Sequence, residues 1–102
     1  MLLGVTMAGV ITGIAWYRRP EWPLLRGLAV DSEMLPHSYD EWLLVAQQTL
    51  DRLVAEGQVV RKVDVSLAEL VQWCSSQGRP LDEPARSAFV EAKLRDLDRA
   101  GG

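Results

Sequence analysis

The two side chains best suited to covalent catalysis are His37 and Cys74, which occur once each in the chain. A cysteine nucleophile needs a neighbouring base, such as histidine, and a setting that lowers its pKa, such as a helix N-terminus. Cys74 instead falls late in a predicted helix and on its apolar stripe, where free cysteine behaves as a small hydrophobic residue. We therefore expect a buried structural Cys74, a surface-loop His37 and no catalytic residue.

The acidic residues form no metal-binding pattern. Asp31 and Glu33, or Asp40 and Glu41, have spacings unlike a calcium-ligand loop, and a single cysteine excludes a cysteine-based zinc cluster. Asp40 and Glu41 are explained by the first turn of a helix, where the helix dipole favours negative charge. The glycines do not form a phosphate-binding loop. The sequence therefore predicts neither a metal site nor a cofactor.

A recognition site is predicted at Tyr17, Arg18, Arg19 and Trp22. These residues follow the first predicted strand, at the end where an α/β unit usually presents its ligand face. Arginine together with tryptophan and tyrosine is also the composition of interface hot spots. Two adjacent arginines suit an acidic peptide or a small anion as the partner.

The tryptophan content offers a second explanation of this corner. The chain contains four tryptophans, Trp16, Trp22, Trp42 and Trp73. Trp42 and Trp73 each fall one residue off the apolar stripe of a predicted helix, so we expect them at the boundary between core and surface. All four rings would be useful for packing helices onto a thin sheet. The sequence leaves both explanations open.

Composition limits the class of protein. The chain has 102 residues, 48% hydrophobic and 25% charged, which are ordinary values for one globular domain. The net charge of −3 argues against nucleic-acid binding, which depends on an excess of lysine and arginine. One cysteine excludes an intramolecular disulfide framework and suits a reducing compartment. We therefore expect a cytosolic protein without a nucleic-acid partner.

The first seventeen residues, Met1 to Tyr17, carry no charge. As a helix they would span about 25 Å, slightly less than the roughly 30 Å hydrocarbon core of a bilayer. Their many β-branched residues favour a buried strand instead, which we predict within VITGIAWY. Residues 1–9 are then a lead-in, which is either disordered or, if translation starts at Met7, partly an artefact of the assigned start. A membrane anchor over residues 1–17 and a cleaved signal peptide are the alternatives.

Proline, serine and glycine divide the rest of the chain into elements. Pro20 and Pro23 end the strand and begin a short helix that ends near Val30. The apolar residues of that helix recur at helical spacing; they are Leu24, Leu25, Leu28 and Ala29. Asp31 is expected to cap one further turn. Ser38 opens a capping box and a long helix with Leu43, Ala46, Leu50 and Leu53 on one stripe.

The second half begins with an alternating segment, residues 58–65 (QVVRKVDV), which predicts a strand with one apolar face. Ser66 opens a second capping box and helix, which Gly78 ends with a left-handed turn. Asp82 opens the last helix, and the tail 99–102 is expected to fray. The order β-α-α-β-α-α predicts an α+β, mostly helical domain over residues 10–98, with a small two-stranded sheet covered by helices.

Three functions from different classes remain open. The favoured one is a small bacterial-type cytosolic module without enzymatic activity, which binds a protein partner or itself as a homodimer. The second is a membrane-tethered protein anchored by residues 1–17. The third is a small-anion or ligand-binding domain that uses the corner at Arg18 and Arg19.

Overall fold

The elements follow the predicted order along the chain, with one additional strand before the first predicted strand. The computed structural model describes residues 5–8 and 11–101, and these form three strands and four α-helices. The strands are β1 (Val5–Ala8), β2 (Ile11–Trp16) and β3 (Val59–Asp64), and the helices are α1 (Trp22–Leu28), α2 (Tyr39–Ala55), α3 (Leu67–Gln77) and α4 (Glu83–Gly101). Short 3-10 turns, Arg19–Glu21 and Ser32–Met34, flank α1. The predicted class, α+β and mostly helical, is confirmed.

The sheet has the strand order β1-β2-β3. β1 and β2 are antiparallel, with Val5 opposite Ile14, whereas β2 and β3 are parallel, with Ile11 opposite Val59. β2 is therefore the central strand, and α1 and α2 form the crossover that a parallel pair requires. The sheet contains one strand more than the two that the sequence predicts.

The additional strand lies within residues 1–9, which were interpreted from the sequence as a lead-in. Residues 5–8 pair with β2, while residues 1–4 and 9 lie outside the described residues. Val5 and Thr6 have strand propensity, and their pairing satisfies backbone groups along one edge of β2. The membrane-anchor alternative predicted a helix over residues 1–17, but residues 5–8 and 11–16 are strands. No helix within the described part of the chain is both long and apolar enough to cross a bilayer.

The helices α2 and α4 lie on opposite faces of the sheet. A Cβ atom added at Gly13 would approach Val90 Cγ1 of α4 to 3.2 Å and Leu94 more closely still. The Trp16 ring instead packs on Trp42 of α2, with ring centroids 5.3 Å apart. Because successive strand residues point to alternate faces, these two contacts lie on different sides of β2. Gly13 therefore permits the close approach of α4.

The helix boundaries follow the predicted capping signals. The Glu41 N–H donates to Ser38 Oγ at 3.1 Å, and the Glu69 N–H donates to Ser66 Oγ at 3.5 Å. Gly78 ends α3 with a φ of +63°, a left-handed conformation that favours glycine. Both capping serines and the glycine stop are thus confirmed as predicted.

The C-terminal helix extends further than the sequence predicts. The tail 99–102 was expected to fray, whereas the backbone of α4 continues to Gly101; residue 102 lies outside the described residues. Arg99 and Ala100 are good helix formers, so local propensity supports this extension.

Candidate functional site

The four residues of the predicted recognition site lie at one corner, beyond the carboxyl ends of the parallel strands. Tyr17 directly follows β2, and the Val65 N–H, directly after β3, donates to Trp16 O at 3.0 Å. The Tyr39 hydroxyl of α2 donates to Tyr17 O at 2.8 Å. The backbone of the corner is therefore held by β3 on one side and by α2 on the other.

The aromatic residues of this corner form a buried cluster around Trp42. The Trp42 ring centroid lies 5.2–5.5 Å from the centroids of four other rings, those of Trp16, Tyr17, Trp22 and Tyr39. Trp42 itself is fully buried, so its expected position at the edge of the core is wrong. Tyr17 and Trp22 are also buried, which favours the packing explanation for these rings.

The two arginines of the corner remain on the surface. Arg18 and Arg19 are exposed. Arg19 Nη2 donates to Asp40 Oδ1 at 2.7 Å, and its guanidinium lies 4.6 Å from the centroid of the Tyr39 ring. The structure thus brings the four predicted residues together but separates them into two buried rings and two exposed cations. An anion at this corner would compete with Asp40 for Arg19.

A buried ion pair that the sequence analysis missed joins α4 to the segment after α1. Arg86 of α4 is 2% exposed, and its two terminal nitrogens donate to the two Asp31 carboxylate oxygens at 2.9 and 2.8 Å. The Glu83 N–H also donates to Asp31 Oδ2, at 3.1 Å. The hydrogen bonds from Arg86 hold the pKa of Asp31 below its ordinary value. Asp31 therefore binds α4 and does not cap its own turn as expected.

The helical spacing of the sequence indicates that Arg86 is buried. Arg86, Val90 and Leu94 recur every four residues, and all three are buried. A charged residue on an apolar stripe requires a buried partner. Spacing alone does not indicate which acidic residue supplies it, because Asp31 is remote in the sequence.

The Tyr17 hydroxyl lies in the field of this ion pair. It is buried and has no hydrogen-bond partner among the described residues. Burial raises the pKa of Tyr17 to about 12, against the opposing influence of Arg86. The Tyr17 hydroxyl is therefore a neutral packing group at ordinary pH.

Of the two residues considered for catalysis, Cys74 is buried and His37 is exposed. Cys74 is a buried free thiol in the core, and burial raises its pKa, which disfavours the nucleophilic thiolate. His37 is exposed, with its Nδ1 3.3 Å from Arg26 Nη2. The buried Cys74 and the exposed His37 were both predicted. Within the described residues, no group of three histidine, cysteine, aspartate or glutamate side chains is placed to hold a metal ion.

A groove runs between α1 and α3, and we call it the α1–α3 groove. It has a volume of about 640 Å³ and is lined by Glu21, by Leu24 and Leu28 of α1, and by Leu67, Ala68, Val71, Gln72 and Ser75 of α3. Leu24 and Leu28 are 59% and 52% exposed, and Val71 is 39% exposed. Sequence spacing missed this surface because Leu24 and Leu28 share one helical stripe with Leu25 and Ala29, which are buried.

A second groove lies between α3 and α4 and is more polar; we call it the α3–α4 groove. It has a volume of about 350 Å³, with Trp73 and Phe89 in its wall at a ring-centroid distance of 5.8 Å. Lys93 and Glu69 also line it and form an ion pair with each other. This groove therefore combines an aromatic wall with charges that already have partners.

Comparisons with known proteins identify no relative of this chain. No protein-family model matches the chain, and searches of curated proteins and of solved structures likewise give no match. The function is therefore inferred from the surfaces described above.

Proposed function

We propose that this chain is a non-enzymatic protein-interaction module, and that it binds an apolar helical segment of its partner in the α1–α3 groove. One observation carries the proposal. Leu24 and Leu28, one helical turn apart, are more than half exposed along the edge of a groove. Apolar surface in a concave site is stabilised when a partner removes it from water.

The shape and chemistry of the groove support a helix as the occupant. Two helices with a groove between them accept a third helix by ridge-into-groove packing. The α3 wall presents Ala68, Val71 and Ser75 at successive turns, and the small side chains of Ala68 and Ser75 allow close approach. Glu21 is the one charged residue among the described residues of the lining. A partner segment with an apolar face suits such a surface.

An exposed leucine elsewhere provides the matched control. Leu44 of α2 is 60% exposed, nearly the same as Leu24, but it lines neither of the two grooves. A charge placed at Leu44 therefore changes the surface without changing the proposed site. Leu28→Asp and Leu44→Asp differ chiefly in whether the groove is affected.

The test is a selection of displayed amphipathic helical peptides against the full chain. We expect selected peptides that bind the wild type and Leu44→Asp with equal affinity. Leu28→Asp should weaken binding by about a hundredfold, because it buries an unpaired carboxylate. Failure to select any peptide, or peptides that bind Leu28→Asp as well as the wild type, would contradict the proposed site.

The proposal includes a cytosolic location. Cys74 is a buried free thiol, which suits a reducing compartment. Fractionation of cells that express the full chain tests this location. Recovery in the supernatant after high-speed centrifugation supports it, and recovery in a carbonate-resistant membrane pellet contradicts it.

The anion-binding alternative at Arg18 and Arg19 has weaker support, because Arg19 is already paired with Asp40. If that alternative were correct, phosphate would raise the melting temperature of the wild type, and Arg19→Ala would lose the effect. We expect no phosphate-dependent shift in either protein at constant ionic strength.

A further inference from the structure

We propose that the partner segment in the α1–α3 groove carries one basic side chain, a lysine or an arginine, which pairs with the Glu21 carboxylate. This inference rests on the proposed function and names the charge that its partner must have. Apolar surface alone accepts any apolar helix. A carboxylate that lacks a partner within that surface favours an occupant that supplies a cationic donor, and penalises one that does not.

Glu21 has one oxygen with a hydrogen-bond partner and one without. Its Oε1 accepts a hydrogen bond from the Leu67 N–H at 3.4 Å. Its Oε2 is buried and has no hydrogen-bond partner among the described residues. None of the described residues that line the α1–α3 groove is a lysine or an arginine. Because buried polar atoms in native proteins nearly always have a partner, the free oxygen indicates that a donor is missing.

Asp31 shows what a complete carboxylate site looks like in this chain. It accepts a hydrogen bond from the backbone N–H of Glu83, at the start of α4, and two from the guanidinium of Arg86. Glu21 has the corresponding backbone donor, the Leu67 N–H at the start of α3, but no cation. The donor missing at Glu21 is therefore the cationic one.

An occupant of the groove can reach the Glu21 carboxylate. The Glu21 side chain lines the groove and is only partly buried. The last torsion of a glutamate side chain is soft, so a small rotation turns the free oxygen toward the groove. The surrounding lining includes Leu24, Leu28 and Val71, and a partner that excludes water from this apolar surface strengthens the attraction between the two charges.

The position of Glu21 also specifies where the partner carries its base. Glu21 directly precedes α1 and contacts the first residue of α3, so the carboxylate lies where both helices begin. Ser75 lines the groove about two turns beyond Leu67 on α3, or roughly 12 Å away. A partner helix that fills the groove therefore carries its basic residue at one end of an apolar stripe about two turns long.

The first test uses the displayed helical peptides that are selected against the full chain. We expect them to share a lysine or an arginine at one end of the apolar stripe. Glu21→Gln removes the charge but keeps an oxygen that can accept from the Leu67 N–H, and should weaken their binding by about tenfold or more. Glu33→Gln makes the same change at an exposed residue that lines neither groove, and should leave binding unchanged. Circular dichroism verifies that both variants remain folded.

The second test changes the peptide and the protein together. Replacing the basic residue of a selected peptide with glutamine should weaken binding to the wild type by about tenfold. The same replacement should change binding to Glu21→Gln by less than about twofold, because the partner charge is already gone. Equal losses against the two proteins would show that the basic residue does not pair with Glu21, and would overturn the inference.

The outcomes separate this inference from the proposed function. Selected peptides without a basic residue, or peptides that bind Glu21→Gln as well as the wild type, overturn the inference. If Leu28→Asp still weakens those peptides, the proposed function stands with an uncharged partner. If no peptide is selected, or Leu28→Asp has no effect on binding, the proposed function is contradicted and the inference falls with it.

Discussion

Helix α1 has two apolar sides with very different surroundings. Its inner side places Trp22 in the cluster of five aromatic rings, and Trp22 is 2% exposed. Its outer side holds Leu24 and Leu28, which are more than half exposed beside the α1–α3 groove. The two sides are similar in hydrophobicity and differ almost completely in burial. This difference separates the residues that stabilise the fold from those available to a partner.

The same difference in burial recurs among the charged residues and the glycines, where the structure provides one member in a packed environment and one in an open environment. The two tyrosines instead differ in whether the hydroxyl has a hydrogen-bond partner. Paired substitutions therefore compare the two environments while the chemical change remains the same.

The largest effect is expected at the centre of the aromatic cluster. Trp42→Ala removes a fully buried ring that contacts four others, and should lower the free energy of unfolding by about 3–5 kcal/mol. Leu24→Ala on the outer side should change it by no more than about 0.5 kcal/mol. Urea denaturation at low protein concentration measures both. Similar losses for the two variants would contradict the assignment of the inner and outer sides.

The ion pairs should show the next largest difference. Asp31→Asn leaves the buried Arg86 guanidinium without its counter-charge and should cost about 2–3 kcal/mol. Asp40→Asn removes the partner of the exposed Arg19 and should cost no more than about 1 kcal/mol. Denaturant titration at neutral pH gives both values. A greater loss of stability in Asp40→Asn than in Asp31→Asn would show that burial does not determine the strength of these pairs.

The Asp31 pair also predicts a pH dependence. Because the folded pKa of Asp31 lies below its ordinary value of 3.8, the contribution of the pair is complete above that value. This contribution to stability is lost as the pH falls through the folded pKa of Asp31. In that range the unfolded chain binds a proton at Asp31 more readily than the folded protein does, so protonation favours unfolding. Wild-type stability should therefore decrease more steeply than that of Asp31→Asn below about pH 4. If the stability of the wild type and of Asp31→Asn fell equally with decreasing pH, the stability would not be linked to the protonation of Asp31.

Substitutions of two glycines should have intermediate effects on stability, and the two effects should be opposite in sign. Gly13→Ala places a methyl group against Leu94 and Val90 and should cost about 1–3 kcal/mol. Gly27→Ala, on α1 with no atom within 4 Å of the added carbon apart from its chain neighbours and its own helix backbone, should stabilise the protein by about 0.5–1 kcal/mol through helix propensity. Thermal melts followed by circular dichroism measure both. Adding Leu94→Ala should reduce the cost of Gly13→Ala, and independence of the two substitutions would contradict the contact.

The smallest difference is expected between the tyrosine hydroxyls. Tyr39→Phe removes a 2.8 Å hydrogen bond to Tyr17 O and should cost about 1 kcal/mol. Tyr17→Phe removes a buried hydroxyl with no partner among the described residues, and should change stability by less than about 0.5 kcal/mol. Chemical denaturation resolves the two. A larger loss at Tyr17 would indicate that its hydroxyl has a partner, such as an ordered water.

The starts of α2 and α3 and the end of α3 could be predicted because their signals are local. Ser38 and Ser66 act on backbone groups three residues away, and Gly78 ends α3 through its own φ angle. The strand β3 was predicted from an alternation that spans only a few residues. Each of these features depends on residues that are neighbours in the chain.

The features that sequence analysis missed depend on contacts between distant segments. Asp31 and Arg86 lie in different halves of the chain, and neither position contains information about the other. The sequence correctly predicted an apolar stripe on α1. This stripe is wider than the part of α1 that packs against the core. Only the tertiary fold decides that Leu25 is buried and Leu28 is exposed. Docking surfaces of this kind require the fold to be known.

The parallel pairing of β2 with β3 has a consequence for the order of folding. β1 and β2 are neighbours in the chain, whereas β2 and β3 are separated by the whole of α1 and α2. Closing such a long loop costs entropy before any contact compensates for it, so distant strand pairs form slowly. We expect pulse-labelled hydrogen exchange to show protected amides in α2 and α4 before those of β3. Early protection of β3 would contradict this order.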